Sequence, residues 1–188
     1  MQWNVPGTVL QIDRKEADGL EEKFSSMFLA GGMVLSQVAN LTGLESHTVQ
    51  NWVKRGFLPP PEHKRYTLRQ LCRIININML RASLPLERIC SLLSYVNGRL
   101  DDVSDDIIDD AKLYFLFVRL AARARQLDEP GQWDQAMDEA LADYEEPVPG
   151  ARDRVEKALR IMMTAWIASR MRHEAEQMLS QLEILASK

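Results

Sequence analysis

The chain has 188 residues, of which 46% are hydrophobic and 27% charged, and its formal net charge is −4. That length can bury one good core, or one small domain with a helical extension. No apolar stretch is long enough to span a membrane and the start lacks the pattern of a signal peptide, so we expect a cytoplasmic protein. Two cysteines and three unclustered histidines predict neither a metal site nor a cofactor.

The charge is distributed unevenly along the chain. Residues 1–30 carry −2, residues 31–99 carry +6, residues 100–150 carry −10 and residues 151–188 carry +2. A basic segment followed by an acidic one is typical of a DNA-binding head on a body that does not bind DNA. An uneven surface charge without a DNA-binding role would produce the same numbers.

The N-terminal segment predicts an ordered arm containing Trp3 and an amphipathic helix over residues 14–29. The residues expected to be buried on this helix are Leu20, Phe24, Met27, Phe28 and Leu29. Gly31 and Gly32 are expected to end it.

The stretch from Leu35 to Gly56 predicts two short helices joined by a tight turn at Thr42 and Gly43. On the second helix Val49, Trp52 and Val53 form an apolar stripe, and the opposite face carries Ser46, His47, Gln50, Asn51 and Lys54. These polar groups can bind base edges and phosphates in a major groove, as the second helix of a helix-turn-helix does. An ordinary pair of packed helices would also have a polar outer face.

A proline run at residues 59–61 ends the second helix and forces an extended segment. Lys64, Arg65 and Tyr66 follow, just before Thr67, which can cap a third helix. A short basic loop of this kind is typical of a DNA-contacting wing. We expect phosphate contacts from Lys64 and Arg65 on the wing and from Arg55 and Arg69 beside it.

Two further helices are predicted, from Thr67 to about Ala82 and from Pro85 to about Asn97. The first is expected to bury Leu71, Ile74, Ile75 and Leu80 and to expose Arg69, Arg73 and Arg81. Cys72 and Cys90 fall on the apolar sides of these helices, which indicates buried structural thiols rather than a thiol or metal sensor.

Residues 33–96 resemble the MerR family of winged-helix transcription regulators. The resemblance rests on L-x-x-V-A-x-x-T-G-L at 35–44, T-V-x-x-W-x-x-x-G-x-L at 48–58, the proline run, Tyr66, L-x-x-I at 71–74, and Leu86, Glu87, Ile89, Leu92 and Leu93. The block from Leu35 to Leu120 is more similar to a family of uncharacterised bacterial MerR-like proteins. The resemblance implies a winged helix-turn-helix that binds double-stranded DNA as a homodimer.

Three features depart from the MerR pattern. The segment before Tyr66 is about four residues shorter than the usual wing, which predicts a blunt turn. Glu45 stands where the family usually has a capping Ser, and Gln50 stands where many members have a DNA-contacting Arg. These departures bear on DNA affinity and sequence preference more than on the fold.

The acidic stretch after residue 100 predicts the first turn of a helix capped by Ser104 and reaching to about Gln126, rather than a metal site. The residues expected to be buried on this helix are Ile107, Ile108, Ala111, Leu113, Tyr114, Phe115, Leu116, Phe117, Val118 and Leu120. A short acidic helix over residues 132–144, with Trp133, Met137 and Leu141 inward, and a linker at 145–150 should follow.

The last segment, Ala151 to Ser187, predicts one long helix or two helices joined near Arg170 to Glu174. Its apolar face comprises Val155, Leu159, Met162, Trp166, Met178, Leu182 and Leu185. The resemblance implies that such a helix pairs antiparallel with a second copy across a two-fold axis. A stripe of Met and Trp could instead line a pocket for an unknown effector.

We therefore predict a mainly α protein whose winged helix-turn-helix head is followed by a helical body. The predicted segments are an N-terminal arm and helix (1–30), a DNA-binding domain (31–99) and a helical dimerisation or effector domain (100–188). The predicted function is DNA binding in transcription control, as a homodimer. The alternative is a protein-interaction module that keeps the fold without sequence-specific DNA binding. No nucleophile with a base, phosphate loop or carboxylate pair indicates an enzyme.

Overall fold

The computed structural model describes residues 2–100, 102–124 and 132–186, with only the backbone for residues 183–186. Within these residues lie eight α-helices, one 3-10 helix and two small antiparallel sheets. This confirms the prediction of a mainly α protein.

The helices are α1 (Leu20–Met27), α2 (Leu35–Thr42), α3 (Ser46–Lys54), α4 (Leu68–Leu80), α5 (Leu86–Asn97), α6 (Asp110–Arg123), α7 (Gln132–Ala140) and α8 (Ala151–Ala186). The 3-10 helix, Arg14–Gly19, precedes α1. Strands β1 (Gln2–Asn4) and β2 (Gln11–Asp13) form a hairpin in which Trp3 lies opposite Ile12. Strand β3 (Met33–Val34) pairs with β4 (Arg65–Tyr66).

Helix α4 lies at the centre of the molecule and packs most extensively against α6, with further contacts to α2, α5 and α8. Leu71, Ile74, Ile75 and Leu80 are fully buried on it, as predicted. One hydrophobic core runs from Trp3 to Trp166. The core therefore continues across residues 99 and 100, the predicted boundary between head and body.

Arg73 of α4 is buried, with only 4% of its surface exposed, so the prediction that it faces solvent is wrong. Its Nη1 lies 3.3 Å from Oδ2 of Asp110, and its Nε donates to the carbonyl of Phe57 at 3.0 Å. The start of α6 packs against α4 and supplies the compensating carboxylate. Burial raises the pKa of Asp110, and the guanidinium groups of Arg73 and Arg69 oppose that rise.

Helix α6 begins five residues later than predicted, at Asp110. Asp109, not Ser104, is its N-cap, and Oδ1 of Asp109 accepts from the N–H groups of Ala111 and Lys112. The preceding residues form a loop because the N–H groups of Ile107 and Ile108 donate to the carbonyl of Val96 in α5. These hydrogen bonds to α5 hold residues 107 and 108 in a loop, so they are not part of α6.

The apolar stretch of α6 is buried as predicted, apart from Ala111, which is half-buried. Tyr114 and Phe115 pack around Phe24 of α1, with ring centroids 6.2 and 5.6 Å from it. The predicted end at Gln126 lies outside the described residues. This helix forms the middle of the core, since both α4 and α8 pack against it.

The N-terminal helix is shorter than predicted because residues 14–19 form the 3-10 helix. Leu20 and Phe24 are buried, whereas Met27 is 48% exposed and Leu29 88% exposed. The prediction that Met27 and Leu29 are buried is therefore wrong. The two-turn α1 has one inward face, and Leu29 lies beyond its end.

The turn after β1 contacts both α4 and α6. The hydroxyl of Tyr114 donates to the carbonyl of Pro6 at 2.9 Å, and Nδ2 of Asn78 donates to the carbonyl of Gly7 at 3.0 Å. A Cβ atom on Gly7 would lie 2.7 Å from the carbonyl oxygen of Ile75, and the φ of Gly7 is +73°. Only glycine allows the backbone to approach α4 this closely.

The C-terminal part comprises α7, an exposed loop at residues 145–150, and α8 as one continuous helix. Met137 and Leu141 are buried as predicted, and Trp133 is half-buried. The first half of α8 buries Val155, Leu159, Met162 and Trp166 in the core. Every residue from 171 to 182 is exposed, including the predicted apolar positions Met178 and Leu182, and the side chain of Leu185 lies outside the described part.

Both cysteines carry free thiols, Cys72 buried and Cys90 half-buried, and burial raises the pKa of each. Within residues 2–100, 102–124 and 132–186, no cluster of His, Cys, Asp and Glu could hold a metal ion. None of the helices described there has the length and apolar character needed to cross a membrane.

The buried ion pair predicts a specific pattern of stability. Arg73→Met leaves the Asp110 carboxylate buried without its main partner and should lower the free energy of unfolding by about 3–5 kcal/mol. The double variant Arg73→Met/Asp110→Leu should recover most of that loss, since neither charge then remains. Urea unfolding of both variants measures the difference.

Lys157→Met is the control, because Lys157 forms an exposed ion pair with Asp153 at 2.6 Å. Its midpoint in urea should stay close to that of the wild type. If Arg73→Met had an equally small effect, Arg73 would not hold α4 and α6 together.

Candidate nucleic-acid interface

The polar face of α3 is exposed. Val49 and Trp52 are buried against the core and fix the orientation of the helix. The opposite face presents Ser46, His47, Gln50, Asn51 and Lys54, all exposed and without side-chain hydrogen bonds or ion pairs among the described residues. Their donors and acceptors are therefore free to bind a ligand.

The turn between α2 and α3 sets the position of that face. Gly43 ends α2 with a φ of +69°, and its N–H donates to the carbonyl of Ala39 at 2.9 Å. Leu44 is buried immediately afterwards, and Glu45 precedes the first turn of α3 with its side chain exposed. The left-handed conformation of Gly43 and the burial of Leu44 let the chain turn sharply from α2 into α3.

The segment predicted as a wing is a tight turn between Glu62 and Arg65. His63 and Lys64 have φ values of +49° and +63°, and the N–H of Arg65 donates to the carbonyl of Glu62 at 2.8 Å. Positive φ at both central residues is typical of the two-residue turns in β-hairpins. Lys64 is exposed at the tip of this turn, whereas Nη1 of Arg65 donates to the carbonyl of Gly32 at 3.0 Å.

Two further predicted phosphate ligands, Arg55 and Arg69, are engaged within the molecule. Nη2 of Arg55 lies 2.7 Å from Oε1 of Glu87, and its guanidinium stacks over Phe57. Nη2 of Arg69 lies 2.6 Å from Oδ2 of Asp106. Carboxylates thus already compensate both charges, so the segment 31–99 offers less free positive charge than its sequence suggests.

Sequence reasoning missed one cation close to α3. A cleft of about 590 Å³ is lined by Trp52 of α3 and by Asn78, Arg81 and Pro85. Arg81 is exposed, and its Nε donates to Oδ1 of Asn78 at 3.0 Å. Nothing in the local spacing of α4 could have placed Arg81 beside α3, because only the packing of α4 brings them together.

The Arg69–Asp106 pair lies where the head meets α6. Burial raises the pKa of Asp106 to about 6; the neighbouring Arg69 opposes that rise and Asp110 adds to it. This carboxyl therefore gains its negative charge at a higher pH in the folded protein than in the unfolded chain.

The family described as a domain of unknown function, DUF1836, matches residues 24–117, which is half of the chain. The uncharacterised protein YkrK of Bacillus subtilis (strain 168) is 30% identical over 84 residues, which cover 43% of this chain and 36% of YkrK. The match thus spans only about a third of that relative's length. No solved structure matches the chain.

The raised pKa of Asp106 predicts a pH-dependent contribution to stability. The folded state keeps its proton up to a pH of about 6, whereas an aspartate in the unfolded chain has a pKa of 3.8. The stability gained from the protonated carboxyl is therefore lost as pH rises from 4 to 6, by up to about 3 kcal/mol. Asp106→Asn should make this fall smaller when unfolding is measured across that range, leaving the part that comes from Asp110, whose pKa burial also raises.

Asp102→Asn is the control, because hydrogen bonds from Ser104 lower the pKa of Asp102 instead. Its pH profile should keep the fall between pH 4 and 6. A wild-type profile parallel to that of Asp106→Asn would show that Asp106 does not titrate as inferred.

Proposed function

The chain belongs to the DUF1836 family, whose function is unknown, and we propose that it is a cytoplasmic transcription regulator that binds double-stranded DNA as a homodimer. The observation that carries this proposal is the exposed polar face of α3, held in place by the buried Val49 and Trp52. Side chains on a rigid helix can read base edges with little loss of conformational freedom.

The proposed DNA-binding unit is a winged helix-turn-helix made of α2, α3, and the β3–β4 pair with its tight turn. Helix α2 packs against α3 and against β4, so these parts form one assembly. Helix α3 would enter the major groove, and Lys64 at the tip of the turn would approach the backbone beside it. The turn is too short to reach deep into a groove.

The chemistry of the α3 face favours base recognition by amides. Gln50 and Asn51 offer the donor and acceptor pair that matches N6 and N7 of adenine. His47 and Lys54 can donate to acceptors on guanine, and Ser46 can bind a phosphate. Affinity from charge alone should be modest, because Arg55 and Arg69 are engaged internally.

The exposed second half of α8 supports the homodimer. Apolar or small residues recur along one exposed face of α8, from its first half into its second, at alternating spacings of three and four: Ile161, Thr164, Ala168, Met171, Ala175, Met178 and Leu182. This is the repeat of a coiled coil. Met171, Met178 and Leu182 are 60–67% exposed. Most of the stability of a helix in a protein comes from the packing of its apolar face, so a second copy is the natural partner for this one.

Charge favours antiparallel pairing of these helices. Arg170 and Arg172 precede Glu174 and Glu176 along α8. An antiparallel pair brings the cations of one copy towards the carboxylates of the other, whereas a parallel pair places like charges side by side.

DNA binding is tested by reversing one charge on the α3 face. Lys54→Glu should weaken binding to genomic duplex fragments by at least about tenfold, since it removes one favourable contact and adds a repulsive one. The slope of log affinity against log salt should also become shallower by about 0.9 for each phosphate that is no longer neutralised. Fluorescence anisotropy at several salt concentrations gives both values.

Lys15→Glu carries the same charge change on the 3-10 helix, away from α3, and should bind like the wild type. A wild-type chain that bound no duplex, or bound with no dependence on salt, would refute the proposal. The protein-interaction module would then become the better explanation. Selection of bound fragments from the source genome would identify the operator.

The homodimer is tested by placing charge on the apolar stripe of α8. Met178→Glu/Leu182→Glu should convert the dimer to a monomer in sedimentation velocity, because each copy would bury two carboxylates without compensating charges in the apolar seam. Gln177→Glu/Ser180→Glu adds the same charges off that seam and should remain dimeric. A monomeric wild-type protein, or equal behaviour of the two variants, would exclude pairing through α8.

A further inference from the structure

A surface cavity of about 650 Å³ lies between the start of α6, the loop before it and the end of α7. That volume falls within the range of small-molecule sites, about 300–1,000 Å³. Ile108, Leu116 and Pro147 supply part of an apolar lining. The cavity lies apart from the polar face of α3.

Carboxylates outnumber cations in the lining. The acidic residues are Glu21, Asp106, Asp109, Asp143 and Glu145, against three basic residues. Asp109 is occupied as the N-cap of α6, but Glu21, Asp143 and Glu145 have no side-chain hydrogen bond or ion pair among the described residues. The excess of negative charge favours a cationic ligand.

The basic residues leave this excess in place. They are Arg69, Lys112 and Arg119. Arg69 forms the ion pair with Asp106, so its charge is already used. Lys112 is exposed on the outer side of α6, so its ammonium can remain in water. Arg119 is half-buried, and its Nε has no hydrogen-bond partner among the described residues. Counting all three cations against the five carboxylates, the lining still carries a charge of −2.

Asp106 provides a second, independent indication of a ligand. Its side chain is only 9% exposed, and Oδ2 binds Arg69. Its other oxygen, Oδ1, is buried without a hydrogen-bond partner among the described residues. A buried acceptor without a donor is costly in a native protein, and a small shift of this side chain into the cavity would let a ligand supply one.

We propose that this cavity binds a small molecule that carries a protonated amine on a compact apolar body. The amine donates to Asp106, and the apolar body lies against Ile108 and Leu116. This inference goes beyond DNA binding and does not depend on it. It gives the helical body a ligand site of its own.

Three compounds of similar size separate the contribution of charge from that of shape. They are 2-phenylethylamine, 2-phenylethanol and 3-phenylpropionate, titrated into the full chain at pH 7.5 and followed by NMR chemical shifts. The amine should bind saturably and at least about tenfold more tightly than the alcohol, since its charged donor meets a carboxylate. The carboxylate compound should not bind.

Two variants locate the site. Asp106→Asn should weaken amine binding by at least about tenfold, because a neutral amide replaces the carboxylate. Ala140→Phe fills the cavity from the end of α7 and should abolish binding, whereas Ala142→Phe, at an exposed position outside the lining, should leave it unchanged. Circular dichroism checks that each variant is folded.

The proposal is overturned if the wild-type chain binds no amine, or binds the amine and the alcohol equally. Retained amine binding in both Asp106→Asn and Ala140→Phe would also overturn it, by placing the compound elsewhere. None of these outcomes bears on DNA binding, which is measured separately with duplex fragments.

Discussion

The buried ion pair between Arg73 and Asp110 is the contact on which the rest of the structure depends. Arg73 belongs to α4 and Asp110 begins α6, while Arg73 also binds the backbone that follows α3 through the carbonyl of Phe57. A buried charge that loses its partner is costly, so these three segments must meet in one geometry. The helix with the exposed polar face is therefore held by the same side chain that joins the two halves of the core.

The range matched by the DUF1836 family is consistent with this arrangement. Residues 24–117 extend from α1 into α6 and include both partners of the ion pair. The β1–β2 hairpin and α8 lie outside that range, although the hairpin reaches α6 through the carbonyl of Pro6 and α8 packs against α4, α5 and α6. The proposed DNA-binding face thus lies inside the family's common region, and the proposed dimer seam lies outside it.

Acidic residues after position 100 reduce the positive charge that residues 31–99 can offer to a nucleic acid. Asp106 and Asp110 compensate Arg69 and Arg73, so the charges of these two arginines stabilise the fold and are not available for a nucleic-acid contact. What remains on the surface of α3 is mainly hydrogen-bonding capacity. A protein of this kind would recognise DNA more through base contacts than through charge. The same acidic residues leave a cavity with an excess of negative charge.

The sequence by itself determined that the protein is mainly helical, that Val49 and Trp52 face inward, that the opposite face of α3 is polar and that the apolar stretch of α6 is buried. These features follow from periodicity within one helix. Only the tertiary structure decided that Arg73 is buried and that α6 begins after Asp109. Arg73 and Asp110 are 37 residues apart, and no local pattern reveals which charge will find a buried partner at that separation. The α3 face was predictable because its residues are near neighbours on one helix. The proximity of Arg81 and the capture of Arg69 were not, since both depend on how distant helices pack.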